Sequence, residues 1–224
     1  ATEGAELTHA VVKDILASGF LPAGSLQLIC GQIYDLIELL NPQDTVTFTG
    51  SAATGQSLRA NPHLNQYSIP FCMEADSVNS AILTEQANDE TLDLFVREVF
   101  REMTTKAGQK CTAIRRIIVP ENLVGDVQNA LSKALDQTKI GNPLSRETKM
   151  GSIVGKEQMQ ILEEKVNLLK AETELIYDGK HDLVEANYEN GAFFTPKVFY
   201  NDKPFEKNIS HELEAFGPVS TIMP

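Results

Sequence analysis

Thr45-Val46-Thr47-Phe48-Thr49-Gly50-Ser51-Ala52-Ala53-Thr54-Gly55 is the stretch on which the reading of the fold turns. A β-branched run from Thr45 to Phe48 closes at Gly50, and Ser51 then opens a polar helical segment that reaches Arg59. Upstream, Leu26 to Cys30 is a short apolar run closed by Gly31, and Ile33 to Leu40 reads as helical. Downstream, Ile69 to Met73 is another short apolar run. Strands alternating with helices predict a parallel sheet, hence an α/β fold. About three strands are legible, and complete sheets of this class carry about twice that number, so the lobe reads as the C-terminal part of a larger one.

Further outward the same alternation continues. Leu7, Val11, Val12 and Ile15 recur at helical spacing between Ala5 and Ser18, and Gly19 with Pro22 stops the run. Glu90 to Lys106 is amphipathic, with Leu92, Phe95, Val96, Val99 and Met103 on one face and Gly108 where a left-handed cap is expected. Ile114 to Val119 reads as a strand, Leu123 to Leu135 and Glu157 to Ala171 as helices, and Glu174 to Tyr177 as a strand. A border near Asp76 divides the chain into a first domain, 1–76, and a second α/β domain, 77–224. The last apolar run, Val219 to Met223, has only Pro224 after it. It is expected to be an exposed strand whose partners lie in sequence outside the chain, prone to association or disorder. Both ends are expected to be boundaries within a longer protein.

Composition narrows the function classes. The 224 residues carry 19 basic and 31 acidic side chains, a net charge of -12. That balance opposes phosphate neutralisation and offers no polybasic attraction to anionic lipid, so nucleic-acid and membrane partners are not expected. The three cysteines, Cys30, Cys72 and Cys111, are widely spaced, without the pattern of a disulfide framework or a metal site. A free thiol and a cytoplasmic setting are therefore expected, and no bound metal.

Three places hold residues suited to chemistry. Thr49-Gly50-Ser51 lies between a strand end and a helix start, where backbone amides favour an anion; an ordinary helix cap without a ligand is the plainer reading. Gly108-Gln109-Lys110-Cys111-Thr112-Ala113 puts a cysteine on a turn, with Lys110 and backbone amides as local activators. The alternative is a small packed hydrophobe, which is the expectation for Cys30 and Cys72 in their apolar runs. Glu74, at the end of Pro70-Phe71-Cys72-Met73, would suit a general base if half-buried, because desolvation raises a carboxylate's proton affinity. The histidines, His9, His63, His181 and His211, fall in polar contexts that give no Cys-His pattern and are expected at the surface.

In this order, these segments resemble the aldehyde dehydrogenase superfamily along the whole chain. Phe48-Thr49-Gly50-Ser51, Met73-Glu74 and Gly108 to Ala113 look like its cofactor turn, general-base segment and nucleophile loop. Gly141-Asn142-Pro143-Leu144 with Met150-Gly151, Gly191-Ala192-Phe193-Phe194 and Glu214-Ala215-Phe216-Gly217-Pro218-Val219 resemble its later segments. Ile69-Pro70-Phe71 to Ser77, and Arg101 to Lys106 through Arg115-Arg116, are most similar to the dehydrogenase half of bifunctional phenylacetate ring-opening proteins. The resemblance implies part of a Rossmann-like cofactor-binding sheet in 1–76 and a catalytic domain in 77–224. It also implies oxidation of an aldehyde, possibly coenzyme A-linked, with NAD or NADP, in a homo-oligomer. Cys111 would be the nucleophile and Glu74 the base for hydrolysis. Thr49, Gly50 and Ser51 would flank the pyrophosphate, Glu214 would hold the nicotinamide ribose, and Phe216 would pack beside it.

Two departures stand out. The family pattern has two glycines after the general base, where this chain has Ala75-Asp76-Ser77. Thr2 stands where NAD-preferring relatives are expected to carry a glutamate, which favours NADP. Two readings compete with the leading one: an acylating enzyme that releases its thioester to coenzyme A, which a water-activating Glu74 opposes, and a non-catalytic fragment with an inert Cys111.

Overall fold

The helical period of the first segment forms α1 (Ala5–Ala17) in the computed structural model, which describes residues 4–31 and 35–224. No residue of α1 is buried. The expected strand at Leu26 to Cys30 does not form, and Cys30 is exposed rather than packed. A short apolar run becomes a strand only when a neighbour takes up its N–H and C=O groups, and the only ladder among the described residues of this part joins two later strands. Of the helix expected over Ile33 to Leu40, a 3-10 turn at Ile37–Leu39 is present. Ile33 and Tyr34 lie outside the described residues.

Those two strands are β1 (Val46–Gly50) and β2 (Phe71–Ala75). They are parallel, joined by α2 (Ala52–Arg59) and α3 (Pro62–Gln66), with Thr47 opposite Cys72 and Thr49 opposite Glu74. Helix α2 lies so close to the ladder that a Cβ on Gly55 would come within 2.3 Å of Met73 Sδ. Ile37, Leu64 and Ile69 form the buried cluster of this part. Side chains alternate along β2, so Phe71 and Met73 are half-covered while Cys72 and Glu74 share the exposed face. The expectation of a core Cys72 is thereby corrected, and Glu74 does not meet the half-burial that would raise its proton affinity: no described element of this unit covers that face.

The chain divides into two units, Ala1–Asp76 and Ser77–Pro224. The second contains, in order, β3 (Asn79–Ile82), α4 (Asp89–Thr104), β4 (Ile114–Ile118), α5 (Val124–Asp136), α6 (Lys156–Glu172), β5 (Glu174–Asp178), β6 (Lys197–Tyr200), α7 (Ile209–Glu212) and β7 (Val219–Met223). The sheet order is β3-β4-β7-β6-β5, parallel except for β5 at one edge. Helix α4 starts at a capping box in which Asn88 N–H donates to Thr91 Oγ1 (2.7 Å) and Thr91 N–H donates to Asn88 Oδ1 (2.9 Å). Asp89 and Glu90 in its first turn complement the helix dipole.

Helices cover both faces of this sheet. Ile117, Val198 and Ile222 pack with Val99 and Met103 of α4 and with Val127, Leu131 and Leu135 of α5. Phe199 and Val219 pack with Leu162, Val166 and Leu169 of α6. Burial on both faces is why β7 reads as a continuous apolar run. All five of its residues are buried and it is paired with β4 and β6, so it is an interior strand, and the expectation of an exposed, association-prone terminus is overturned. No helix among the described residues is long and apolar enough to cross a membrane.

Candidate active site

In the first unit, Thr49, Gly50, Ser51 and Glu74 gather at the carboxyl ends of β1 and β2, the end of a parallel sheet at which ligands bind in α/β folds. Ser51 is the N-cap of α2: its Oγ accepts from Thr54 N–H (3.3 Å) and donates to Thr54 Oγ1 (2.9 Å). The other first-turn amides, at Ala52 and Ala53, have no acceptor within the helix. Amides and a hydroxyl at such a turn suit a phosphate. Glu74 stands directly across the ladder from Thr49. Asp76 follows with φ of +32°, in the left-handed region that favours glycine, in the stretch where the family pattern carries two glycines.

In the second unit, Cys111, Glu214 and Phe216 gather near the amino ends of β4 and β7. Cys111 is an exposed thiol on the turn between Gly108 and β4. Its carbonyl accepts from Ser77 Oγ (2.5 Å) and from Asn79 Nδ2 (2.7 Å), while Asn79 Nδ2 also reaches Ala113 O (3.3 Å). Gln109 Oε1 accepts from Val154 N–H (2.7 Å) and anchors the other side of the turn. Lys110, a candidate activator by its charge, is drawn away: its ammonium sits 2.8 Å from both carboxylate oxygens of Glu102 on α4.

Ser77 joins this turn to the second segment, because its N–H donates to Glu214 Oε2 (3.3 Å) while its hydroxyl holds the Cys111 carbonyl. Arg115 is the residue that the motif reading passed over. It is 4% exposed, its Nη1 donates to Gly217 O (2.5 Å), its Nη2 donates to Gly108 O (2.7 Å), and Nη2 lies 3.9 Å from Glu214 Oε1. Its guanidinium carbon is 5.7 Å from the centre of the Phe216 ring. Burial pulls its pKa down to about 10 against the opposing pull of Glu214, so it stays cationic at neutral pH. A charged residue in the middle of an apolar strand run was the available signal, since such a charge is buried only when partnered.

The neighbouring Arg116 donates through Nη1 toward His211 Nδ1 (3.1 Å), and His211 Nε2 lies 2.9 Å from Pro204 O. His211 is thus half-buried and engaged, as is His63 against Leu40 O (2.8 Å), and neither is the free surface group expected. Among the described residues no cluster of His, Cys, Asp and Glu could hold a metal. Thr2 is outside them, so the position on which NADP preference was read has no structural counterpart.

The aldehyde dehydrogenase family matches residues 1–224. A 3,4-dehydroadipyl-CoA semialdehyde dehydrogenase from Aromatoleum evansii is 40% identical across 100% of this chain and 44% of that protein. A mutant of betaine aldehyde dehydrogenase from Staphylococcus aureus, in its apo form, superposes with a TM-score of 0.81 at 27% identity, over 96% of this chain and 42% of that one. The same enzyme in complex with NAD+ superposes with a TM-score of 0.70 at 27% identity, over 80% and 34%. The chain therefore spans less than half the length of these relatives. With the whole of its sequence matched and its α/β fold shared with these solved structures, this chain belongs to the aldehyde dehydrogenase family.

Proposed function

We propose that this chain is the segment of a nicotinamide-dependent aldehyde dehydrogenase that carries both its nucleophile and its general base, and that the substrate is a coenzyme A-linked semialdehyde. The observation that carries the reading is the exposed Cys111 turn, tied through Ser77 to Glu214 beside Phe216. Membership of the family and the likeness to a coenzyme A semialdehyde dehydrogenase support the substrate class. Residues 1–76 are read as the C-terminal part of the cofactor-binding domain and 77–224 as the catalytic domain.

The Cys111 thiolate attacks the aldehyde carbon, and the oxyanion so formed is held in part by the Cys111 backbone N–H. The Cys111 adduct gives up its hydride, which a bound NAD or NADP would accept, and its carbon is left as a thioester on the Cys111 sulfur. Glu74 takes a proton from water, the hydroxide adds to the thioester carbon, and the carboxylic acid leaves as the thiolate is restored. Thr49, Gly50 and Ser51 flank the pyrophosphate, Glu214 holds the nicotinamide ribose hydroxyls, and Phe216 packs beside the ring. The helix N-terminus at Ser51 and the carboxylate of Glu214 are donor and acceptor types that fit those groups. Preference for NADP follows from Thr2 and is tested by the ratio of kcat/KM for the two cofactors. The working protein is read as a cytoplasmic homo-oligomer; the unpaired Cys30, Cys72 and Cys111 suit a reducing compartment.

The test is aldehyde-dependent cofactor reduction by this chain and by a form extended to the length of its relatives, with a coenzyme A semialdehyde and a simple aldehyde as substrates. Cys111→Ala is expected to lower kcat by about a thousand-fold or more. Glu74→Gln is expected to release one equivalent of reduced cofactor quickly and then turn over about a hundred-fold more slowly, because hydride transfer precedes hydrolysis. No burst and full activity in Glu74→Gln would remove Glu74 from the mechanism. Acyl transfer to added coenzyme A in place of hydrolysis would favour the acylating reading.

A further inference from the structure

The nucleophile turn and the 214–218 segment come from distant parts of the sequence, yet their backbones touch. Gly108 has φ of +69°, and a Cβ on it would lie 2.2 Å from Gly217 O and 2.8 Å from Pro218 N. Two carbonyls at such a contact, those of Gly108 and Gly217, accept from the same guanidinium. The Arg115 side chain that carries it is 4% exposed, with Glu214 Oε1 3.9 Å away and the Phe216 ring within cation–π range. One side chain therefore touches the base of the Cys111 turn and both candidate cofactor residues.

We propose that Arg115 is a positioning residue that sets the spacing between the Cys111 turn and the Glu214 carboxylate, and so the affinity of the site for a nicotinamide dinucleotide. The inference rests on the reading of Cys111 and Glu214 given above. The planar guanidinium is what the task needs. Its fork donates in two fixed directions to two carbonyls while its charge lies near both the carboxylate and an aromatic ring. A lysine ammonium is a compact point charge with no such plane, so Arg115→Lys keeps the charge and loses the simultaneous grip. Two cationic neighbours in the sequence are committed to other partners. Arg116 is engaged elsewhere, with His211, and Lys110 is held by Glu102.

The experiment measures both the dissociation constant for reduced cofactor and the number of cofactor sites per chain, by fluorescence titration. It uses the dehydrogenase extended to the length of its relatives, with Arg115→Lys, Glu214→Gln and the double variant. Arg115→Lys is expected to weaken cofactor binding about ten-fold while one cofactor site per chain remains, and the double variant is expected to bind no more than two-fold more weakly than Glu214→Gln. A purely architectural Arg115 would instead lower the number of cofactor sites per chain and leave the constant of the remaining sites unchanged, which overturns the proposal. Effects that multiply in the double variant also overturn it, since Arg115 would then not act through Glu214. If Glu214→Gln binds cofactor as the parent does, the cofactor role of Glu214 fails first and the proposal fails with it. Should Arg115→Lys not fold, Arg115→Gln, which retains a two-hydrogen donor without charge, carries the same comparison.

Discussion

Ser77 shows how a single departure from a family pattern can be put to use. In the stretch where the pattern carries two glycines, this chain places Ala75-Asp76-Ser77, and the serine hydroxyl takes up the carbonyl of Cys111 at 2.5 Å. Glycine could not supply that donor. Ser77→Ala removes one of two hydrogen bonds on that carbonyl, Asn79 remaining. The loss of about 1 kcal/mol should lower the melting temperature by about 2–4 °C, as a thermal scan would show. Gly108 is the opposite case, a residue that cannot be replaced. Its positive φ and the 2.2 Å separation from Gly217 O leave no room for a methyl group, so Gly108→Ala should cost about 2 kcal/mol or more, read as a lower urea midpoint. A left-handed glycine was legible from its place after an amphipathic helix. Its contact with Gly217 was not, because the two residues are far apart in sequence.

Among the elements, β5 and α5 are tied by Tyr177, which is 9% exposed and donates its hydroxyl to Asp136 Oδ1 at 2.9 Å. Burial, then the bond to Asp136 and the charges of Asp136 and Asp178, push the phenol well above its ordinary value of 10.0. The folded protein thus keeps a proton that the unfolded chain releases as pH rises past about 10. The stabilisation is complete below that pH and is lost progressively above it. Tyr177→Phe should therefore flatten the alkaline fall in stability relative to the parent, seen in urea midpoints at increasing pH. Arg115, whose folded pKa is lowered to about 10, acts with the opposite sign in the same range, but it is common to both proteins and cancels. In the same cluster as Tyr177, Leu131 is 1% exposed among residues of α4, α5, β4 and β7. Leu131→Ala is expected to cost about 2–5 kcal/mol by denaturant titration.

At the scale of the whole molecule the two units differ in how much core each owns. Residues 1–76 bury a cluster around Ile37, Leu64 and Ile69, whereas 77–224 sandwich a five-stranded sheet between two buried faces. Hydrogen exchange followed by mass spectrometry should find the slowest amides in β4, β6 and β7 and faster exchange in β1 and β2; equal protection in both units would contradict this. The sequence by itself determined the α/β class, α1, β1, α2, β2, α4, β4, α5, α6, β5 and β7, and the turn that bears Cys111, because periodicity, caps and glycine stops act within a few residues of where they are written. Strands β3 and β6 are short, with four residues each, and went unread because so few residues show no decisive period. Burial was decided by tertiary structure alone. The same kind of apolar run became an interior strand at Val219–Met223, an exposed face at Cys72, and no strand at Leu26 to Cys30. What separates them is whether other elements supply hydrogen-bond partners and cover, and that depends on residues far away in the chain. The gathering of Cys111, Ser77, Glu214 and Arg115 is of the same kind: their residue types were legible one by one, and only the parallel pairing of β3, β4 and β7 made them neighbours.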